Sequence, residues 1–183
     1  MKSETYVCLI RGINVGGRKI VKMERLRDSL TKLGLDGVKT YVQSGNVVFK
    51  APAQSEEGLC GEIRKKIQSE FGFEVSVMLR TSKEIAKTIE KNPFLKERGI
   101  DTSKLHVTFL EKVPEKANIK SLQALKIEPD GLRHLGTEIY LYYPNGFSGA
   151  KLSHNTLERL LGCKGTSRNW NTVNELHRMA SGV

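Results

Sequence analysis

The sequence lacks any long hydrophobic run. Its 183 residues are 38% hydrophobic and 27% charged, the composition of a folded globular protein. Nowhere do apolar residues continue for the roughly 18 positions that a transmembrane helix needs. Met1 to Glu4 lead directly into a short mixed segment, without the apolar stretch of a secretory signal peptide. We therefore expect a cytoplasmic protein that has no membrane partner.

Cysteine and histidine are also scarce. The three cysteines, Cys8, Cys60 and Cys163, form no CxxC pair, and their odd number gives no disulfide framework. The four histidines show no HxxxH or HExxH spacing. We therefore predict neither a metal site nor a cofactor.

Familiar catalytic signatures are missing as well. There is no Gly-x-Ser-x-Gly elbow, and no close carboxylate pair stands out for acid–base chemistry. Ser153-His154 is more typical of a helix start than of a nucleophile and its base. His106 alternates with Leu105 and Val107, which favours a structural or solvent-exposed role on the less buried sheet face. The sequence leaves open whether the protein is an enzyme.

Positive charge is what the sequence has in excess. The formal net charge is +10 and the isoelectric point is near 9.6. Such a surface attracts anions, of which nucleic acids, phosphorylated metabolites and acidic proteins are the usual ones, although a solvated surface without a specific partner is equally compatible. The densest patch extends from Arg11 to Arg27, where six cations face only Glu24.

The first 81 residues are predicted to form a ferredoxin-like unit. Thr5–Arg11 has strand composition, and a helix with apolar residues at helical spacing begins near Met23. A hairpin around Ser44-Gly45, a helix capped by Ser55 and an alternating strand over 73–80 complete a β-α-β-β-α-β order. Two helices would cover one face of this sheet and leave the other for solvent or a partner.

The remainder, 82–183, repeats this theme less clearly. A helix around Ile85, a strand over Leu105–Leu110, a helix near Ile119, a hairpin over 131–143 and two final helices give β-α-β-β-α. We therefore predict an α+β protein of two ferredoxin-like units with mixed or antiparallel sheets, divided between Arg80 and Lys104.

A glycine-rich loop, residues 11–19, joins the first strand to the first helix. Glycines allow backbone N–H groups to approach a phosphate, and a helix N-terminus adds partial positive charge. The loop is neither a P-loop nor a GxGxxG fingerprint, and a purely connecting role remains the simpler interpretation. Its candidate ligand-binding residues are Arg11, Asn14, Gly16, Gly17, Arg18 and Lys19.

Two further polar segments are candidates for ligand contact. The hairpin residues Gln43, Ser44 and Asn46 interrupt apolar strands, although a plain turn explains them too. In the C-terminal segment, Arg168 and Asn169 precede the only tryptophan, Trp170, which could stack on a ligand or anchor the final helix. RNA-recognition domains of this fold order display aromatic residues on their strands, within a basic-Gly-aromatic signature. Tyr6, Tyr41 and Phe49 supply aromatic residues here, but the sequence around them lacks that signature.

Several stretches together resemble one known family. They include Arg11–Gly17, Tyr41–Phe49, Asn92–Phe94, Leu105–Leu110, Tyr142–Gly146 and Arg168–Val173. The sequence resembles, over essentially its whole length, the bacterial domain-of-unknown-function family 1697. The resemblance implies two ferredoxin-like units and no established activity. Ala150 stands before Lys151-Leu152 where a serine is expected, which puts a hydroxyl contact there in doubt.

Three functions are compatible with these observations. The first is binding of nucleic acid or another polyanion, with Arg11, Arg18, Lys19 and Arg168 on phosphates, Asn14, Gln43 and Asn46 as hydrogen-bond donors or acceptors, and Trp170 stacking. The second is an enzyme or sensor for a small phosphorylated or nucleotide-like ligand held by the glycine loop. The third is a protein-interaction module that uses an open sheet face or edge strands.

Overall fold

The computed structural model of the chain describes residues 3–182, which divide into two compact units. The first contains the residues up to Lys87 together with those from Glu175 onward, and the second is Thr88–Asn174. The first thus includes the predicted range 1–81 and adds a C-terminal segment to it. The predicted division at 81/82 stays a prediction.

The first unit is built on a four-stranded antiparallel sheet. The sheet and its two helices consist of β1 (Ser3–Arg11), α1 (Met23–Lys32), β2 (Asp36–Tyr41), β3 (Asn46–Pro52), α2 (Glu56–Phe71) and β4 (Ser76–Thr81). The strand order is β2-β3-β1-β4, the order of a ferredoxin-like fold.

Local signals in the sequence place these elements. Ser55 caps α2 by accepting a hydrogen bond from the Gly58 N–H, as predicted. Gly72, with φ +79°, ends the same helix in the left-handed conformation that glycine adopts at low cost. Leu59, Ile63 and Ile67 form the buried face of α2, and the repeat of four residues explains why they share it.

Both faces of the first sheet are buried. Tyr6, Cys8 and Ile10 face the helices, and Leu26 of α1 belongs to the same core cluster. On the opposite face Val7, Leu9, Val48 and Met78 are no more than 1% exposed. Of the two predicted alternatives, exposure of this face to solvent is therefore wrong, because the strand residues between the core positions are themselves apolar and buried.

The second unit has the same sheet order with different residues. After β4 the chain forms α3 (Ser82–Glu90), β5 (Leu105–Leu110), α4 (Lys116–Gln123), β6 (Gly131–Leu135), β7 (Glu138–Tyr142), α5 (His154–Leu161), β8 (Gly165–Asn169) and α6 (Trp170–Ser181). The strands β5 to β8 form an antiparallel sheet in the order β6-β7-β5-β8, and α3 and α6 each contain residues of both units. Short 3₁₀ turns cover Pro93–Lys96, Thr102–Lys104 and Phe147–Gly149.

The helices of the second unit also cover one sheet face. Leu110, Ile139 and Leu141 pack with Leu157 and Leu161 of α5 in one cluster. The structure thus confirms an α+β fold of two ferredoxin-like units with helices on their sheets. It adds β8, a strand absent from the predicted β-α-β-β-α order, which ends directly before the last helix.

Candidate functional site

The glycine loop forms a small closed finger between β1 and α1. The Asn14 N–H donates to the Lys19 carbonyl at 3.1 Å, and the Arg18 N–H donates to the Val15 carbonyl at 3.0 Å. Gly16 and Gly17 lie at the tip with φ of +56° and +72°, the pair of left-handed residues that a type I′ turn needs. Here the glycines therefore serve a tight reversal of the chain.

Asn14 fixes this finger to the rest of the unit. Its Oδ1 accepts from the Val21 N–H at 2.8 Å, and its Nδ2 donates to the carbonyl oxygens of Val21 and Gln43 at 3.0 and 2.8 Å. Its φ of +55° is one that asparagine tolerates better than most residues. The predicted ligand contact is thus, in this structure, the residue that joins the finger to the β2–β3 hairpin.

The β2–β3 hairpin is packed tightly where the finger joins it. The Ile10 N–H donates to the Gly45 carbonyl at 2.7 Å, and a Cβ on Gly45 would lie 2.7 Å from the Ile10 carbonyl oxygen. Asn46 is fully buried, and its Nδ2 donates to the Tyr41 carbonyl and to Ser44 Oγ. The structure therefore brings two of the three predicted polar segments together, with Gln43 and Ser44 exposed beside the finger.

The finger is cationic and carries no acidic residue. Arg18, Lys19 and Lys22 are exposed, while Arg11 is half-buried at its base. The Lys19 Nζ donates to the Glu74 carbonyl and lies 5.4 Å from the centre of the Phe73 ring. Within residues 3–182, Arg18 and Lys22 have no ion-pair partner.

Two other cations of the basic patch have local partners. Arg25 pairs with Glu70 at 2.8 Å, and Arg27 donates to Thr40 Oγ1 at 2.7 Å. The cationic surface is thus narrower than the Arg11–Arg27 stretch. It centres on Arg18, Lys19 and Lys22.

Exposed apolar side chains accompany these cations. Val15 and Ile20 on the finger are 65% and 61% exposed, and Val42 in the adjoining turn is 53% exposed, with φ +47°. None of these three residues is among the predicted ligand contacts, and Lys22 was predicted only as part of the basic Arg11–Arg27 patch. In the sequence, Val15 and Ile20 are apolar residues among glycines and cations, at positions where neither a helical nor a strand period requires one.

The C-terminal polar segment belongs to the second unit. Arg168 and Trp170 are 8% and 7% exposed, and Arg168 donates to Thr166 Oγ1 and to the Ser167 carbonyl. Asn169 caps α6 by accepting from the Thr172 N–H at 2.8 Å. All three side chains have internal structural roles, and their joining the finger in one site stays a prediction.

Two carboxyl groups that the sequence did not pair lie together in the first unit. Partial burial raises the pKa of the Glu56 carboxyl, neighbouring Glu84 raises it further, and Arg80 opposes both. Glu84 also accepts from the N–H and hydroxyl of Thr81 at the start of α3. A cavity of about 460 Å³ lies in the same unit and is lined by other residues, among them Ser3, Glu4, Thr5, Ser82 and Lys83.

Two classes of feature are not found within residues 3–182. No group of three or more His, Cys, Asp and Glu side chains is arranged to hold a metal ion. No helix there has the length and apolar character to cross a bilayer.

Comparisons with known proteins agree on the fold and give no activity. A family model described as "Protein of unknown function (DUF1697)" matches residues 3–140. The solved structure of a conserved bacterial protein from Streptococcus pneumoniae is similar over 98% of this chain and 99% of that chain, with a TM-score of 0.77 and 24% sequence identity. At that identity the similarity supports the fold alone. No curated protein matches the chain.

Proposed function

The chain belongs to the DUF1697 family of proteins of unknown function, and from its own site we propose that it binds nucleic acid, or another polyanion of similar charge spacing, through the finger. The observation that carries this proposal is a closed, exposed turn whose surface, from Val15 to Lys22 together with Val42 of the adjoining turn, presents three cations, three exposed apolar side chains and no carboxylate. Such a turn is convex, which suits an extended partner better than a small molecule enclosed in a pocket.

The chemistry of binding follows from the side chains. Arg18, Lys19 and Lys22 each neutralise a phosphate and release condensed counterions, which is the main source of affinity for nucleic acid. Val15, Ile20 and Val42 supply apolar contact for sugars and base faces. The internal hydrogen bonds of Asn14 keep the finger in one conformation, so little conformational entropy is lost on binding.

Salt dependence of binding is the first test. Labelled single- and double-stranded RNA and DNA are titrated with the protein by fluorescence polarisation at 50 and 200 mM salt. Three neutralised phosphates give a slope of about −2.7 in log K against log salt for duplex DNA, so we expect affinity to fall about 40-fold across this range. Binding that is insensitive to salt would contradict the proposal.

A pair of charge-reversal variants locates the surface. Arg18→Glu/Lys22→Glu changes the finger, and Arg64→Glu/Lys65→Glu changes two exposed cations of α2. Both variants lower the formal net charge of +10 by the same amount. We expect the first to abolish measurable binding and the second to weaken it only slightly. Equal loss in both would show that overall charge, not the finger, attracts the polyanion.

The other two predicted functions receive less support. A phosphate cradle needs free backbone N–H groups, but in the finger those of Asn14 and Arg18 donate to carbonyl oxygens of the same loop. An interaction module on a sheet face receives less support, because both faces of the first sheet are buried, and its use of edge strands stays a prediction. The three free cysteines suit the reducing cytoplasm, which we propose as the location.

A further inference from the structure

A row of polar side chains lies at the β8 edge of the second sheet. Thr108 pairs with Ser167 and His106 pairs with Asn169 across β5 and β8. Since Leu110 of the same strand face belongs to the cluster under α5, this row lies on the helix-covered side. Hydroxyl groups in such a position replace apolar residues that would otherwise pack there, and their desolvation must be offset by hydrogen bonds.

His154, the first residue of α5, extends this row into a chain of hydrogen bonds. Thr108 Oγ1 lies 2.6 Å from Ser167 Oγ, and Ser167 Oγ lies 3.3 Å from His154 Nδ1. On the other side of the ring, His154 Nε2 lies 3.3 Å from Glu158 Oε1 and 3.1 Å from the Gly165 carbonyl oxygen. The Gly165 N–H in turn donates to Glu158 Oε1 at 2.8 Å, which holds the carboxylate in place.

The direction of this chain is determined by its acceptors. Both neighbours of His154 Nε2 are oxygens that only accept, so in the neutral ring the proton is on Nε2. Nδ1 then carries a lone pair and accepts the Ser167 hydroxyl proton. The Ser167 oxygen accepts in turn from Thr108, whose hydroxyl is fully buried.

This arrangement contains the parts of a base-activated nucleophile. A hydroxyl donates to an imidazole, and the far nitrogen of that imidazole is held by a carboxylate. Ser167 and His154 are half-buried, so part of each residue lies at the protein surface. Phe147, 52% exposed, stacks on His106 of the same row with ring centres 5.4 Å apart and offers an aromatic surface beside it.

We propose that Ser167 is a nucleophile and His154 its general base, in a second site that acts on carboxylic esters with an aromatic or similarly flat group. Glu158 is a positioning residue that fixes the ring through Nε2. This site lies wholly in the second unit and does not depend on the proposed function of the finger.

The reaction needs no reagent other than the ester and water. Ser167 Oγ bonds to the ester carbonyl carbon while its proton passes to His154 Nδ1. The carbon–oxygen bond to the alcohol then breaks, and the leaving oxygen takes that proton. Water attacks the acyl group in the same manner, which restores the Ser167 hydroxyl and releases the carboxylic acid.

A fluorophosphonate probe tests the nucleophile directly. Its phosphorus forms a bond to an activated serine oxygen and fluoride leaves, so the mass of the intact protein reports the reaction and peptide mapping reports the residue. We expect modification of Ser167 in the full chain, and none at Ser148, an exposed serine of the same unit. Ser167 reacting no faster than Ser148 would overturn the proposal, and this comparison needs no variant.

Variants then separate base catalysis from simple exposure. His154→Gln should slow modification of Ser167 about 100-fold or more, whereas Ser148→Ala should leave it unchanged. Circular dichroism verifies that His154→Gln is folded. An unchanged rate in folded His154→Gln would contradict the role of His154.

Discussion

At the scale of single residues, Asn14 illustrates how one polar side chain organises a loop. Its side chain makes three hydrogen bonds, two to Val21 and one to Gln43, which lies 29 residues further along the sequence. Removing it leaves the N–H of Val21, a buried residue, without this partner, and an unsatisfied buried group costs more than the bond itself contributed. Asn14, which the sequence predicts as a ligand contact, thus has a structural role in this loop.

We therefore predict that Asn14→Gly lowers the free energy of unfolding by about 1–3 kcal/mol. Asn14→Ala should lower it by about 1 kcal/mol more, because φ of +55° is unfavourable for alanine and not for glycine. Urea denaturation of both variants measures the two effects separately. An Asn14→Gly variant as stable as the natural protein would show that the hydrogen bonds contribute nothing.

His106 gives a prediction about pH. Burial lowers the pKa of its imidazole below the ordinary 6.5. Below about pH 6.5 the unfolded chain therefore binds a proton that the folded chain does not, and stability falls as the pH decreases. Urea denaturation at pH 7.5, 6.5 and 5.5 should show a greater loss of stability in the natural protein than in His106→Gln. Parallel losses in the two proteins would exclude this contribution.

At the scale of elements, the cap of α2 is the simplest to test. Ser55→Ala removes the acceptor for the Gly58 N–H and should cost about 1 kcal/mol. Ser69→Ala, at an exposed position near the end of the same helix, removes only a bond to the Lys66 carbonyl and should cost close to nothing, since alanine favours helix. Thermal denaturation compares the two. Equal destabilisation would mean that the cap has no special role.

Elements with a strong apolar period were predictable, and β8 shows where that signal ends. The strand Leu105–Leu110 and the α2 face follow directly from their spacing. Gly165–Asn169 contains no apolar residue, yet Thr166 and Arg168 are buried because hydrogen bonds satisfy them. This segment is a strand only because it pairs with β5. The local sequence does not show this pairing, because β5 is distant in sequence.

The same limit applies to the candidate site. The sequence located the finger and the hairpin, because glycines and asparagines at turns have recognisable patterns. It could not show that Asn14 joins them, nor that His154 reaches Ser167, since both contacts depend on how strands and helices are packed. The burial of Arg168 and Trp170 could not be predicted from composition either.

At the scale of the whole molecule, the reactivity of the three cysteine thiols measures how well the interior is shielded from solvent. Cys8 and Cys163 are 0% and 6% exposed, and Cys60 is half-buried. Burial raises the pKa of the Cys60 and Cys163 thiols, which reduces the reactive thiolate.

We predict that Ellman's reagent at pH 8 modifies Cys8 and Cys163 at least about 100-fold more slowly in the native protein than in guanidinium chloride. That factor corresponds to an opening free energy of about 3 kcal/mol. Cys60 should react at an intermediate rate. Rapid reaction of all three thiols in buffer would contradict the burial described above, and Cys163→Ser identifies the contribution of one of the two slow groups.

The division of the chain has a consequence for its synthesis. The first unit needs residues on both sides of the second, those up to Lys87 and those from Glu175 onward. On the ribosome, all of Thr88–Asn174 is translated before the first unit has its full set of residues. The second unit can therefore complete its folding first, although its codons come later than most of those for the first, because at that stage the first unit still lacks Glu175–Ser181 of α6.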